Sequence, residues 1–189
     1  MKSNQINLRI SILILFTVLA AFSRLIPHMP NFSPLGAIGL FGAAYFTKKW
    51  QAFLIPIAAT FLSDLFINNI IYAQNNSEFI WFYKGCLWQY GSYLLIAGLG
   101  IYIFRKINVQ RVCSGILSSS AIFFLVSNFG VWASGTMYPS TFEGLLTCYS
   151  AGIPFLKGTL LGNLFYTSTL FGTFSLAEQQ FPILRTKIS

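Results

Sequence analysis

Apolar runs separated by short basic breaks or longer Pro- and Asn-rich ones organise this chain. A helix needs about 20 residues to cross a hydrocarbon core of about 30 Å. Six runs reach or approach that length, at 8–25, 34–46, 50–67, 86–104, 112–133 and 155–177. A signal peptide is the competing reading of the first, since Lys2 and Arg9 precede it and Ala20-Ala21 would flank a cleavage point. Its length, and the lack of a small-x-small site after it, favour a membrane span.

The second run is short and rich in small residues: Gly36, Ala37, Gly39, Gly42, Ala43 and Ala44. Small side chains let helices approach closely in lipid, so this helix is expected at the centre. Ser33-Pro34 supplies a cap and a first-turn proline for it. Pro56 is expected to kink the third run, and Gly158-xxx-Gly162 marks a packing face on the sixth.

The breaks alternate in character. Thr47-Lys48-Lys49 and the stretch 105–111 are tight and basic, whereas 26–33, 68–85 and 134–154 are long and rich in Pro, Asn, Tyr and Trp. Long ordered loops are often functional. In the last of them, Ser140-Thr-Phe-Glu143 has the capping-box pattern. It predicts a short helix over about 141–150, closed by Gly152 and Pro154 and lying over the outer mouth.

Charge then fixes orientation. With the N-terminus inside, the inner segments hold Lys2, Arg9, Lys48, Lys49, Arg105, Lys106, Arg111, Arg185 and Lys187, against Arg24, Lys84 and Lys157 outside. This follows the positive-inside rule, and a five- or seven-span arrangement would break it. The sequence thus predicts an all-α integral membrane protein of the bacterial inner membrane. Residues 1–189 form one transmembrane domain, with six spans and both termini cytoplasmic.

Composition agrees. The chain is 55% hydrophobic and 8% charged, where a soluble domain carries roughly 25% charged residues. Its net charge of +8 lies in separated clusters and makes no continuous basic stripe, so a nucleic-acid partner is not expected. Cys86, Cys113 and Cys148 form no CxxC or Cys/His cluster, so neither a metal site nor another cofactor is expected. Cys86 and Cys148 share the outer side, and whether they pair stays open.

Ionisable groups inside a membrane are functional candidates. Asp64, in the outer third of the third span, suits a contact to a solute or cation, or an ion pair with Arg24 or Lys157. Arg24, His28 and Asn31 lie where Pro27 and Pro30 stop the first helix. They either touch a solute at the outer mouth or act locally, Arg24 reaching head groups and the other two capping backbone. Asn128 and Trp132, four residues apart, share a helix face. They offer a hydrogen-bonding group beside an apolar ledge, or else an interhelical bond and an interfacial aromatic. Tyr138, Tyr149 and Trp88 are weaker candidates of the same kind. Arg24, Asp64 and Asn128 are expected at one depth, and their convergence in one pocket is the economical arrangement.

Arg24…His28…Asn31-Phe-Ser-Pro34, Ser63-Asp64, Ser127-Asn-Phe-Gly-Val-Trp132, Tyr138-Pro139 and Ile153-Pro-Phe155 resemble an uncharacterised family of small bacterial membrane proteins assigned to transport. That family is similar to the S-components of energy-coupling-factor vitamin transporters. The resemblance spans about 24–172. It implies a six-helix bundle with termini inside, a solute pocket on the outer side roofed by the outer loops, and an energising partner module. One feature departs from the pattern. The docking patch of S-components, Ala-xxx-Ala on the first helix, is represented here only by Thr17-xxx-Ala21 and by Gly39-xxx-Ala43 on the second. Self-association or solitary action therefore stays open.

The function expected is capture of a small micronutrient by a substrate-binding transport subunit. The alternative is a packing subunit of a larger complex, or a small membrane enzyme. Four acidic residues and a lone histidine supply little for catalysis, so no enzyme activity is expected. There is no P-loop, and an ATP-driven step would come from a partner.

Overall fold

The computed structural model of the chain describes residues 2–75 and 78–185. Lys187, counted above among the inner charges, lies outside the described residues. Six α-helices and no strand occur among the described residues: α1 (Lys2–Phe22), α2 (Leu35–Tyr45), α3 (Lys49–Phe66), α4 (Cys86–Ile103), α5 (Val109–Ala133) and α6 (Phe142–Gln180). Four segments, Ile6–Leu25, Lys49–Ile71, Cys86–Ile103 and Val109–Ala133, are long and apolar enough to cross a membrane. Their outward faces carry exposed Leu15, Leu19, Leu54, Leu62, Leu95, Leu117 and Leu125. Helices apolar on both inward and outward faces fit hydrocarbon surroundings.

Helix α2 has 11 residues, about 17 Å of rise, and packs against each of the other five helices. Its glycines make this possible. A methyl group on Gly42 would come within 2.9 Å of Pro56 Cγ on α3, and one on Gly100 of α4 within 2.7 Å of Ala43 Cβ. Close approach buries Ala37, Ile38, Leu40 and Phe41 almost completely. Phe41 meets Phe174 edge to face at 5.6 Å and Phe171 at 5.9 Å, while Tyr45 meets Phe174 at 4.6 Å. In hydrocarbon surroundings this close packing stabilises through van der Waals contact between the helices, because the lipid outside is as apolar as the side chains.

At the end of the bundle where α2 and α6 finish, Arg9 is only 8% exposed. It donates through Nε to the Leu184 carbonyl and through Nη1 to the Tyr45 carbonyl, both at 2.7 Å. Its guanidinium lies 5.6 Å from the Phe174 ring centre and 3.5 Å from Glu178. Counted from sequence as a plain topology charge, Arg9 in fact satisfies terminal carbonyls of α2 and of the Pro182–Leu184 turn, which would otherwise lack donors.

Two expectations are corrected here. The short outer helix closed by Gly152 and Pro154 does not form. Helix α6 runs unbroken through both for 39 residues, about 58 Å. Pro154 is exposed, and a proline can be carried in a long helix when its neighbours hold the geometry. Gly152 is a contact point: a Cβ there would run into the Asn128 side chain on α5. The cap also shifts by one residue, because Thr141 Oγ1, and not Ser140, accepts the Gly144 amide at 3.1 Å.

The remaining boundaries move by a few residues. Helix α5 starts at Val109 because Asn108 Oδ1 accepts the Arg111 amide at 2.9 Å. Helix α3 continues into a π-turn at Ile67–Ile71. All three cysteines are free thiols, so Cys86 and Cys148 do not pair. The Cys148 thiol donates instead to the Asn128 carbonyl at 3.3 Å.

Candidate functional site

Where α1 ends, Ser23–Leu25 forms a tight turn whose Ser23 hydroxyl donates to the Ala20 carbonyl at 2.7 Å. Pro27 then prevents helix continuation. This turn aims Arg24 at α3. Its Nη1 donates to Asp64 Oδ1 at 2.6 Å and to Ser63 Oγ at 3.0 Å. From α4, the Tyr90 hydroxyl donates to the other carboxylate oxygen at 2.7 Å. Both oxygens of Asp64 are engaged, and the side chains of Arg24 and Asp64 are 17% and 6% exposed. The pairing anticipated for Asp64 is therefore formed with Arg24, and it braces α1, α3 and α4. Beside it, Tyr83 donates to Gln89 Oε1 at 2.8 Å. Burial, and next the Asp64 charge, push its phenol above its ordinary value.

Residues 26–34 form a strap that folds back over α6. Asn31 takes a left-handed conformation, φ 60°, which asparagine tolerates better than most residues. The Phe32 amide closes a turn onto the Met29 carbonyl at 3.1 Å. Gly158 and Gly162, read from sequence as a helix-packing motif, seat this strap. A Cβ at Gly158 would strike the Pro30 carbonyl oxygen, and one at Gly162 would come 2.7 Å from the Ser33 nitrogen. The Phe32 ring rests 5.7 Å from Phe165 and 5.6 Å from Tyr166. His28 is exposed, with Nδ1 3.0 Å from the Met29 carbonyl.

Beneath the strap lies a cavity of about 10 Å³, lined by Asn31, Ser33, Gly36, Tyr93, Phe123, Thr159 and Asn163. That is room for a single water. Its walls come from the strap, α2, α4, α5 and α6. Asn163 is 2% exposed and donates through Nδ2 to Ser120 Oγ at 2.8 Å, while its side chain fills the space above Gly36. Tyr93 and Phe123 stack nearly parallel, 5.9 Å apart at 4°. Every polar side chain in this wall is uncharged.

The other sequence candidates sit elsewhere. Asn128 Nδ2 donates to the Phe124 carbonyl on its own helix at 2.8 Å, and its amide packs on Gly152. Trp132 Nε1 lies 3.1 Å from the Pro139 carbonyl and 3.2 Å from that of Thr141. It thereby holds the connection that starts α6. Tyr149 donates to the Leu125 carbonyl at 2.8 Å, and Tyr138 is partly buried in the same connection. Trp88 fills the space over Gly130 and meets Phe129 at 5.3 Å. Thus Arg24 joins Asp64, and Asn31 reaches the cavity, but the expected convergence of Asn128 with them is not what forms. The contacts of Asn128 and Trp132 are to α5, α6 and the link between them.

Sequence reasoning passed over Asn163, Thr159, Ser120 and the Tyr93–Phe123 pair. Asn163 carried a readable signal, being an amide in the middle of an apolar span directly after Gly162. Among the described residues, no group of three His, Cys, Asp or Glu is placed to hold a metal ion.

No curated protein and no solved structure matches the chain. A protein-family model does, over residues 4–184: the DUF6580 family, a family of unknown function. That match takes in all six helices, the strap and the cavity, and the chain belongs to the DUF6580 family.

Proposed function

We propose that the protein is a six-span membrane protein that captures a small uncharged solute beneath the 26–34 strap and serves as the substrate-binding subunit of a transport system. The observation that carries this reading is the cavity under the strap, whose largely apolar wall brings Asn31, Ser33, Thr159 and Asn163 together with Tyr93 and Phe123. Pockets of this kind combine aromatic walls with a few convergent hydrogen-bonding groups. Uncharged walls favour an uncharged solute, since a buried unpaired charge is costly.

Six spans require α2 and α6 to count with the four longer apolar segments. Helix α2 is enclosed by the other five, so it need not match the membrane thickness itself. Helix α6 turns Thr159, Asn163 and Thr167 inward and exposes Leu161, Leu164, Phe165 and Leu176. These three inward polar residues thus lower its average hydropathy without facing outward, while Lys157, Ser168, Thr169 and Thr173 lie on its exposed side. The Lys and Arg distribution then puts both termini in the cytoplasm and the strap on the outer side.

A cavity sized for one water holds no solute until the strap lifts and Tyr93 parts from Phe123. The strap is suited to such movement because it rests on two glycines of α6 and belongs to no helix. On the resemblance to S-components read from the sequence, energy for release would come from a partner subunit.

The test is native mass spectrometry of the gently purified protein, reading any co-purifying small molecule. Wild type should carry a bound mass that Thr159→Val and Asn31→Ala lose while remaining monodisperse. Equal retention of the same mass by both variants would place binding elsewhere.

A further inference from the structure

At the opposite end of the bundle from the strap, α4 ends at Ile103 and α5 begins at Val109. Between them opens a cleft of about 280 Å³, lined by Tyr102, Ile103, Arg105, Arg111 and Ser114. We infer that this cleft is a binding site for a phosphate group, supplied by the head group of an anionic phospholipid.

Three observations lead there. First, the site is positively charged and unneutralised. Arg105, Lys106 and Arg111 fall within seven residues, and the sequence has no acidic residue between Glu78 and Glu143. The ion pairs among the described residues, Arg9–Glu178 and Arg24–Asp64, use none of these three.

Second, the two arginines are held in place. Arg111 Nη1 donates to the Ile103 carbonyl at 3.0 Å, which ties its guanidinium to the end of α4. The Arg105 guanidinium lies 5.0 Å from the Tyr102 ring centre, a cation–π contact that restrains it on the other wall. Two guanidinium groups flanking one opening match the oxygens of a phosphate, which arginine binds through paired N–H donors. The positive end of the 25-residue helix α5 adds to the attraction.

Third, the surroundings choose the source of the phosphate. A volume of about 280 Å³ falls just below the usual range for sites that enclose a whole drug-sized molecule. It suits a phosphate and its ester linkage better than a nucleotide. Tyr102, Ile107 and Val109 beside it are exposed at 67%, 44% and 79%. Basic side chains over an exposed apolar rim are the arrangement an anionic lipid would satisfy, head group in the cleft and chains along α4 and α5. The lipid source rests on the membrane reading above; the anion chemistry does not.

Native mass spectrometry of the detergent-solubilised protein tests this with added phosphatidylglycerol against phosphatidylcholine, and with inorganic phosphate as competitor. Phosphatidylglycerol should bind in preference, and Arg105→Gln and Arg111→Gln should each weaken it about five-fold. Arg105 lies over the Tyr102 ring and takes no part in the Arg111–Ile103 hydrogen bond that ties α5 to the end of α4, so R105Q removes its charge and that ring contact while leaving the tie in place. The solute retained under the strap should be unaffected by R105Q, which separates failure of this site from failure of the transport reading. Equal binding of the two lipids with no displacement by inorganic phosphate, or phosphatidylglycerol binding unchanged in R105Q/R111Q, would overturn the site. Displacement by inorganic phosphate with no preference between lipids would overturn the lipid source.

Discussion

Replacing Asp64 by Asn keeps the shape of the side chain and removes its charge, leaving Arg24 without its carboxylate. Losing one partner of a buried ion pair costs about 3–5 kcal/mol, because the other charge stays desolvated. Arg24 is 17% exposed at the side chain and keeps its 3.0 Å bond to Ser63, so part of that loss is relieved by reaching toward water. A destabilisation of about 2–3 kcal/mol remains. At about 2–4 °C per kcal/mol for a chain of this size, the melting temperature should fall about 4–12 °C. Arg24→Gln alone strands Asp64, which retains Tyr90 as donor, and should cost about the same. In the double variant R24Q/D64N no charge is left stranded, and most of the loss should return. The cycle should therefore show a coupling of about 3–5 kcal/mol between the two sites. Thermal unfolding of the four proteins in one detergent measures it. Additive losses, or single variants melting with wild type, would refute the claim that this pair braces α1, α3 and α4.

Four further outcomes are expected. Gly158→Ala should dislodge the strap, whose Pro30 carbonyl oxygen occupies that space, and expose a Cys placed at Thr159, only 6% exposed beneath it, to thiol reagents. Gly172→Ala, with nothing within 4 Å of the new methyl, should be neutral or stabilise by up to about 1 kcal/mol through helix propensity. Trp132→Phe removes the donor to the Pro139 and Thr141 carbonyls and should lower stability by about 1 kcal/mol, seen in the melting temperature, without loss of any solute held under the strap. For topology, an impermeant thiol reagent applied to spheroplasts should label Ser140→Cys and spare Asn108→Cys; the reverse pattern would reject the six-span, termini-inside arrangement.

The six apolar helices, and the approximate ends of the second to the fifth, were legible in the sequence because they depend on short-range quantities. Apolar length, the small residues of 36–44 and the prolines at 27 and 30 act through local backbone and solvation terms that neighbours in sequence carry. Basic clusters between runs belong to the same class. Asp64 and Arg24 were readable as partners because few ionisable groups lie inside the spans, and a desolvated charge must find one.

What the sequence could not give was where each inward face points once the helices pack. Gly152 and Pro154 look like a stop signal locally, yet α6 continues, because Asn128 of α5 fills the space over Gly152 and the long helix carries the proline. The glycine pair at 158 and 162 is a packing motif in either case. Only the tertiary structure decides that its occupant is the 26–34 strap rather than a helix. Asn128 and Asn163 are both amides in apolar helices, and nothing local distinguishes them. Rotation of α5 and α6 within the bundle turns one onto Gly152 of α6 and the other into the cavity beside Gly36, since burial and hydrogen-bond satisfaction are settled by the whole packing and not by any one segment.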